Sequence, residues 1–166
     1  MADYAQAYTG LSITVNGFGF LGSLTNFEPP EIKEHTEEYR GGNAAPVKMM
    51  VGYEVVEAKF KLSRDDFNIA ALRAIVGRDV VFTVRATADE KGQKIQTKWD
   101  VYGRIYSVES GAVESGKIVE KTYTVSVVKF LKSIDGKPAE AFDIEVGELK
   151  FGTTNVLSKV KKQIGL

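Results

Sequence analysis

Side chains able to do covalent or metal chemistry are scarce in this chain. Its 166 residues include one histidine, His35, and no cysteine. His35 stands in Glu34-His35-Thr36-Glu37-Glu38, where imidazole and carboxylates could share a divalent cation. Such a site needs its ligands fixed on a rigid element, and this run reads as a solvated polar segment. Gly17-Phe18-Gly19-Phe20-Leu21-Gly22 matches G-x-G-x-x-G by letter. That motif works only when a helix N-terminus follows and receives a pyrophosphate. Residues 23–30 end in Pro29-Pro30 and cannot supply the helix, so the stretch reads as a tight hairpin packed by Phe18 and Phe20. Asp65-Asp66 could act as an acid pair, yet at the head of a predicted helix they complement its dipole. Lys159, Lys161 and Lys162 could meet phosphate, but three lysines on a helix usually form a solvated face. No nucleophile-elbow, Walker or zinc spacing is present. The expectation is a chain without catalytic residues, cofactor or metal.

Composition points the same way. The 22 basic and 22 acidic residues give a formal net charge of zero. Dedicated nucleic-acid and membrane-surface binders carry a basic excess, and zero net charge favours self-association. No apolar run approaches the roughly 20 residues of a bilayer span. No basic stretch followed by an apolar one opens the chain, so synthesis in the cytoplasm is expected. The length suits one domain with a real core.

The elements that would position any site are mostly strands. Residues 11–15 alternate as a strand, and 18–24 continue it after a glycine turn. Residues 28–34, with Pro29-Pro30, read as an extended edge or loop. Residues 37–46, with Gly41-Gly42-Asn43, read as a loop. Residues 47–62 read as one long strand with Val56, Ala58, Phe60 and Leu62 on one face and Glu57, Lys59 and Lys61 on the other. Residues 63–76 are the clearest helix, capped by Ser63 with Asp66 behind it and stopped by Gly77. Phe67, Ala70, Ala71, Ala74 and Ile75 make its apolar face, and Ile69, Leu72 and Val76 widen it enough for a second, neighbouring partner. Strands follow over 79–87, over 94–109 with a bend at Gly103, and over 117–133. Residues 88–93 form a charged turn between the first two. On the last strand Tyr123, Val125 and Val127 oppose Glu120, Thr122, Thr124 and Ser126. Asp135-Gly136 predicts a hairpin into a strand over 140–146. Val156, Leu157, Val160 and Ile164 have helical spacing in 155–163. Strands this long and two-faced leave edges that a lone subunit must protect.

Several motifs then carry a family resemblance. Glu38-Tyr39-Arg40-Gly41-Gly42-Asn43-Ala44-Ala45-Pro46-Val47 resembles the E-x-Y-R-x-G … P-V loop of major tail tube proteins of contractile-tailed phages and R-type pyocins. Phe130-Leu131-Lys132-Ser133-Ile134-Asp135-Gly136-Lys137 resembles that family's Y-x-L-x-x-D-G-[KR] hairpin, and Phe142-Asp143-Ile144-Glu145 follows where the family has E-I-D. The ending Gln163-Ile164-Gly165-Leu166 is similar to its terminal x-[IL]-G-L. Ile13-Thr14-Val15-Asn16-Gly17-Phe18 is similar to its opening L-F-[IL]-[DN]-G. The matches are collinear over about residues 11–166. The glycine loop is shorter than in several members, and residues 79–116 match only in pattern.

The resemblance implies a mainly β domain over 1–166: a two-sheet antiparallel sandwich or barrel with one flanking helix and a C-terminal helix. It further implies an assembly loop at 36–46 and a C-terminal tail at 155–166, while an N-terminal extension at 1–8 departs from the family pattern. Six copies would form a ring, and rings would stack into a hollow tube inside a contractile sheath, between baseplate and tail terminator. A tape-measure protein and double-stranded DNA would occupy the lumen without sequence-specific binding. The subunit itself would not insert into a membrane. Expected interface residues are Tyr39, Arg40, Gly41, Gly42, Pro46, Ile69, Leu72 and Val76. Expected lumen residues are Glu57, Lys59, Lys61, Lys98, Asp100, Glu120, Thr122 and Thr124. The alternative is a ligand-binding module, such as a carbohydrate-binding sandwich, using Trp99, Tyr102 and Tyr106. An enzyme is a distant third.

Overall fold

The computed structural model describes residues 6–19, 23–42, 45–65, 67–74 and 79–164. Its strands are β1 (Ala7–Val15), β2 (Phe18–Gly19), β3 (Leu24–Glu28), β4 (Glu34–Tyr39), β5 (Val47–Tyr53), β6 (Glu57–Leu62), β7 (Val80–Glu90), β8 (Gln93–Ser110), β9 (Lys121–Ile134), β10 (Lys137–Asp143), β11 (Glu148–Phe151) and β12 (Thr154–Asn155). Two short helices complete it, α1 (Phe67–Leu72) and α2 (Ser158–Ile164). The main sheet runs β12-β11-β10-β9-β8-β7-β1-β2, with β6 also on β9 and β3 on β6. A second sheet holds only β4 and β5, and every pairing is antiparallel.

Strand β9 organises the fold. One edge pairs with β8 along its length; the other carries β6 on residues 121–126 and β10 on residues 129–134. Period-two alternation explains the core. Val80, Phe82, Val84, Ala86 and Ala88 of β7 point inward, as do Trp99 and Val101 of β8 and Tyr123, Val125 and Val127 of β9. Phe60 stacks on Tyr123 with ring centroids 5.0 Å apart and lies 5.6 Å from Phe82, tying β6 to β7 and β9. Strands β1 and β3 lie side by side without pairing among the described residues.

Three tight turns set the register. Asn16-Gly17, Lys91-Gly92 and Asp135-Gly136 all have positive φ at both positions, the geometry that matches strand twist in a two-residue hairpin. The first two correct the sequence reading. The glycine motif is the β1–β2 hairpin, but Phe18 is exposed rather than packed, and Phe20 lies outside the described residues. The charged turn at 88–93 shrinks to two residues, because β7 and β8 pair out to Glu90 and Gln93. The bend expected at Gly103 is real: the β8–β9 register shifts between Tyr102 and Gly103, and again between Ile105 and Ser107.

Four other expectations change. The single strand over 47–62 is two strands broken at 54–56, because Met49-Met50-Val51 cannot all face one core. The loop expected over 37–46 begins later: residues 37–39 belong to β4, which pairs with β5 from Glu34↔Tyr53 to Tyr39↔Val47. The extension at 1–8 already contains the start of β1, which pairs Ala7 with Asp89. Helix α1 covers six residues, with Ile69 fully buried and Phe67 84% exposed, so the predicted apolar face is rotated. Asp66, Ile75, Val76 and Gly77 of the predicted helix lie outside the described residues.

Candidate functional site: a polar sheet face and a projecting hairpin

One face of the main sheet collects nearly all the expected lumen residues. Opposed residues in an antiparallel pair share a face. The register sets Glu57 beside Ser126 and Arg104, Lys59 beside Thr124 and Ser107, and Lys61 beside Thr122 and Glu109. It continues through Lys98 beside Arg85 and Asp100 beside Thr83. All are on the side opposite the buried row. Glu120 is exposed just before β9, at the end of this face. Thr124 is the exception: it is buried, because Lys59 and Ser107 flank it on both sides, and it cannot line a channel.

Hydrogen bonds hold part of the face in place. Lys98 pairs with Asp100 at 2.9 Å, and Thr83 Oγ1 donates to Asp100 at 2.8 Å. Tyr106 donates to Glu57 at 2.5 Å, and that bond raises the phenol's pKa above its ordinary value. Lys129 reaches Asp143 at 3.1 Å and lies over the Tyr102 ring, and the carboxylate raises the ammonium's pKa. Asp143 is nearly buried at the end of β10. Burial pushes its carboxyl up, but the Val146 amide, Lys129 and the Glu145 amide together outweigh it and hold the pKa low. Lys59, Lys61, Arg85 and Arg104 form no ion pair among the described residues. The face is therefore not acidic. Sequence reading missed Arg85, Arg104, Tyr106 and Lys129, which the alternation of β7, β8 and β9 places there.

The second feature is the β4–β5 hairpin. Every residue of β4 is exposed, and β5 is exposed through Val51. Tyr39, Val47, Met49, Met50 and Val51 all face solvent. Of the expected interface residues, Tyr39, Arg40, Gly41, Gly42 and Pro46 gather at its tip, where the Tyr39 ring lies over Gly41. Ile69 does not join them. It is sealed in its own subunit's core, so no neighbour can touch it. Val76 and the Leu72 side chain lie outside what the structure describes.

Among the described residues no group of three His, Asp or Glu is placed to hold a metal, and His35 lies exposed opposite Gly52 on the hairpin. The three aromatics proposed for a carbohydrate platform do not share a face. Trp99 is buried against Phe27, while Tyr102 and Tyr106 lie on the opposite face.

The fold is thus a mainly antiparallel β domain with one polar sheet face and a projecting apolar hairpin. The chain belongs to the phage tail tube protein FII family, whose sequence profile matches residues 6–165. No curated sequence matches it. Similar solved structures share the fold at low identity. One comes from the sheath–tube complex of an extracellular contractile injection system, PVC, in its extended state: TM-score 0.60, 14% identity, covering 79% of this chain and 93% of that one. Another comes from the sheath/tube terminator of that system: TM-score 0.59, 15% identity, covering 80% and 99%. A third is Hcp1 from Flavobacterium johnsoniae: TM-score 0.52, 13% identity, covering 80% and 98%.

Proposed function

We propose that six copies of this chain close into a ring and that the rings stack into the hollow inner tube of a contractile phage tail or related injection particle. The observation that carries this is the family match across residues 6–165, and the geometry agrees with it. The polar face of β6, β7, β8 and β9 has the composition of a water-filled wall, and ring closure would cover strand edges left open in one subunit. Stacking is a heterologous, non-closing contact, which yields a filament. The hairpin, with Tyr39, Arg40, Gly41, Gly42 and Pro46 at its tip, reaches an adjacent subunit. The subunit acts by assembly, not catalysis.

Its partners follow from that role: itself, a contractile sheath, a baseplate and a terminator. A tape-measure polypeptide or double-stranded DNA passes through the lumen without sequence readout, and the subunit inserts into no membrane. Assembly takes place in the host cytoplasm before release of the particle. Negative-stain microscopy of the purified protein, alone and with a baseplate to nucleate it, tests the reading. Sixfold rings or hollow tubes support it. A monomer under every condition rejects it.

A further inference from the structure

The hairpin has a matching seat elsewhere on the molecule. By register Tyr39 opposes Val47 and Glu37 opposes Met49, so these four share one face of the ribbon. That face is apolar with an acidic edge. Its carboxylate is Glu37, because Glu38 lies on the other face of the ribbon opposite Lys48. A single ribbon of this kind is marginal in water unless something covers it.

Helix α2 offers the complementary pattern. Its sequence, SKVKKQI, has three lysines and no carboxylate. Val160 and Ile164, one turn apart on the same side, are exposed. Beside them lies the turn after β10, where Ile144 and Val146 are also exposed. The helix is not a loose appendage. Leu157 packs on the core, the Val156 amide donates to the Leu149 carbonyl, and Lys161 Nζ donates to the Val146 carbonyl. A fixed apolar surface bordered by Lys162 and a projecting apolar face that carries Glu37 therefore occur once each on every copy, on different elements.

We infer that the β4–β5 hairpin of one subunit seats on α2 and the 144–147 turn of another copy, with Tyr39, Val47 and Met49 against Val160 and Ile164, and Glu37 near Lys162. The occupant is a second copy of this chain because the two surfaces complement each other in charge and in apolar content. Joining two different patches makes the contact heterologous, so it propagates from copy to copy. The inference rests on the tube reading and names the surfaces that join its subunits.

The absence of cysteine makes the test clean. Single variants Met49→Cys and Val160→Cys are mixed, assembled and mildly oxidised. The expected product is a covalent heterodimer formed only in assembled material. A control mixture of Met49→Cys with Thr87→Cys, on the polar sheet face, should give none. Tubes in which the control cross-links equally, in which Met49→Cys pairs only with itself, or in which no heterodimer forms overturn the seat while leaving the tube reading intact. Charge reversal gives an independent reading. Glu37→Lys should cut pelletable polymer about tenfold or more, the equivalent of roughly 1.4 kcal/mol per contact. Adding Lys162→Glu should restore much of it. Reversal without rescue also overturns the proposal. A wild-type chain that never assembles overturns the tube reading itself.

Discussion

Substituting Gly103→Ala probes the sheet at its tightest point. Gly103 lies inside β8, paired with Val80 on one side and Val127 on the other. A Cβ there would sit 2.1 Å from the Ser126 carbonyl oxygen and 3.0 Å from Val125 Cγ1. The obstacle is backbone, and β9 cannot yield because β6 and β8 hold both its edges. Relief needs a displacement on the order of 1 Å in the middle of the sheet, which overpacking series put at about 1–3 kcal/mol. A weakened ladder hydrogen bond adds about 1 kcal/mol. At about 2–4 °C per kcal/mol for a chain of this size, the total of about 2–4 kcal/mol lowers Tm by about 4–16 °C. Thermal unfolding of the dilute subunit, followed by circular dichroism, reads the shift. Gly52→Ala is the control: its added Cβ meets nothing within 4 Å and its φ is not positive. It should stay within about 0.5 kcal/mol of wild type. If Gly103→Ala melts with wild type, the bulge is not the tight crossing described here.

Other outcomes can be checked alongside. Phe60→Ala removes the ring that packs between Tyr123 and Phe82 and should cost about 3–5 kcal/mol in chemical denaturation. The Asp143 carboxyl is held below its unfolded value, so its contribution is fully present above pH ~4 and is lost as pH falls through the lower folded value. Asp143→Asn should therefore flatten the acid limb of a stability–pH profile and leave the neutral-to-alkaline slope unchanged. Deleting residues 156–166 removes one core contact, Leu157, worth about 1.5–3 kcal/mol. The truncated subunit should fold with a lowered melting point yet fail to polymerise, as read by sedimentation. Hydrogen exchange across β4 and residues 40–46 should be fast in the free subunit and slowed by assembly, and equal rates in both states would refute a docked hairpin.

Legibility in the sequence followed burial. Where one face meets a core, as in Ala58 to Leu62 or Tyr123 to Val127, the period of two is plain and both strand and face were readable. Asp135-Gly136 announced its turn because few residue pairs tolerate positive φ at both positions. Of the β4–β5 hairpin, β5 was read as the first part of the strand over 47–62, but β4 was not readable as a strand. Neither side is buried in the subunit, so no alternation was imposed on Glu34 to Tyr39. Helix α1 misled for a related reason: several apolar residues fit a helical stripe, but so short a helix offers the core one anchor, Ile69, and leaves Phe67 outside. The polar face was legible strand by strand. Its joining into one surface with Arg85, Arg104 and Lys129 required the cross-strand register, which no local pattern encodes. Tail tube character came from short collinear motifs, and the family profile over 6–165 agrees with it.

The most direct measurement of the central claim is an electron cryomicroscopy reconstruction of whatever the purified chain forms at high concentration with its sheath and baseplate present. The account predicts a hollow tube of stacked sixfold rings, with Lys59, Lys98 and Asp100 on the inner wall and the β4–β5 hairpin crossing to an adjacent copy. A solid filament, a ring with that polar face turned outward, or a lone subunit would contradict it.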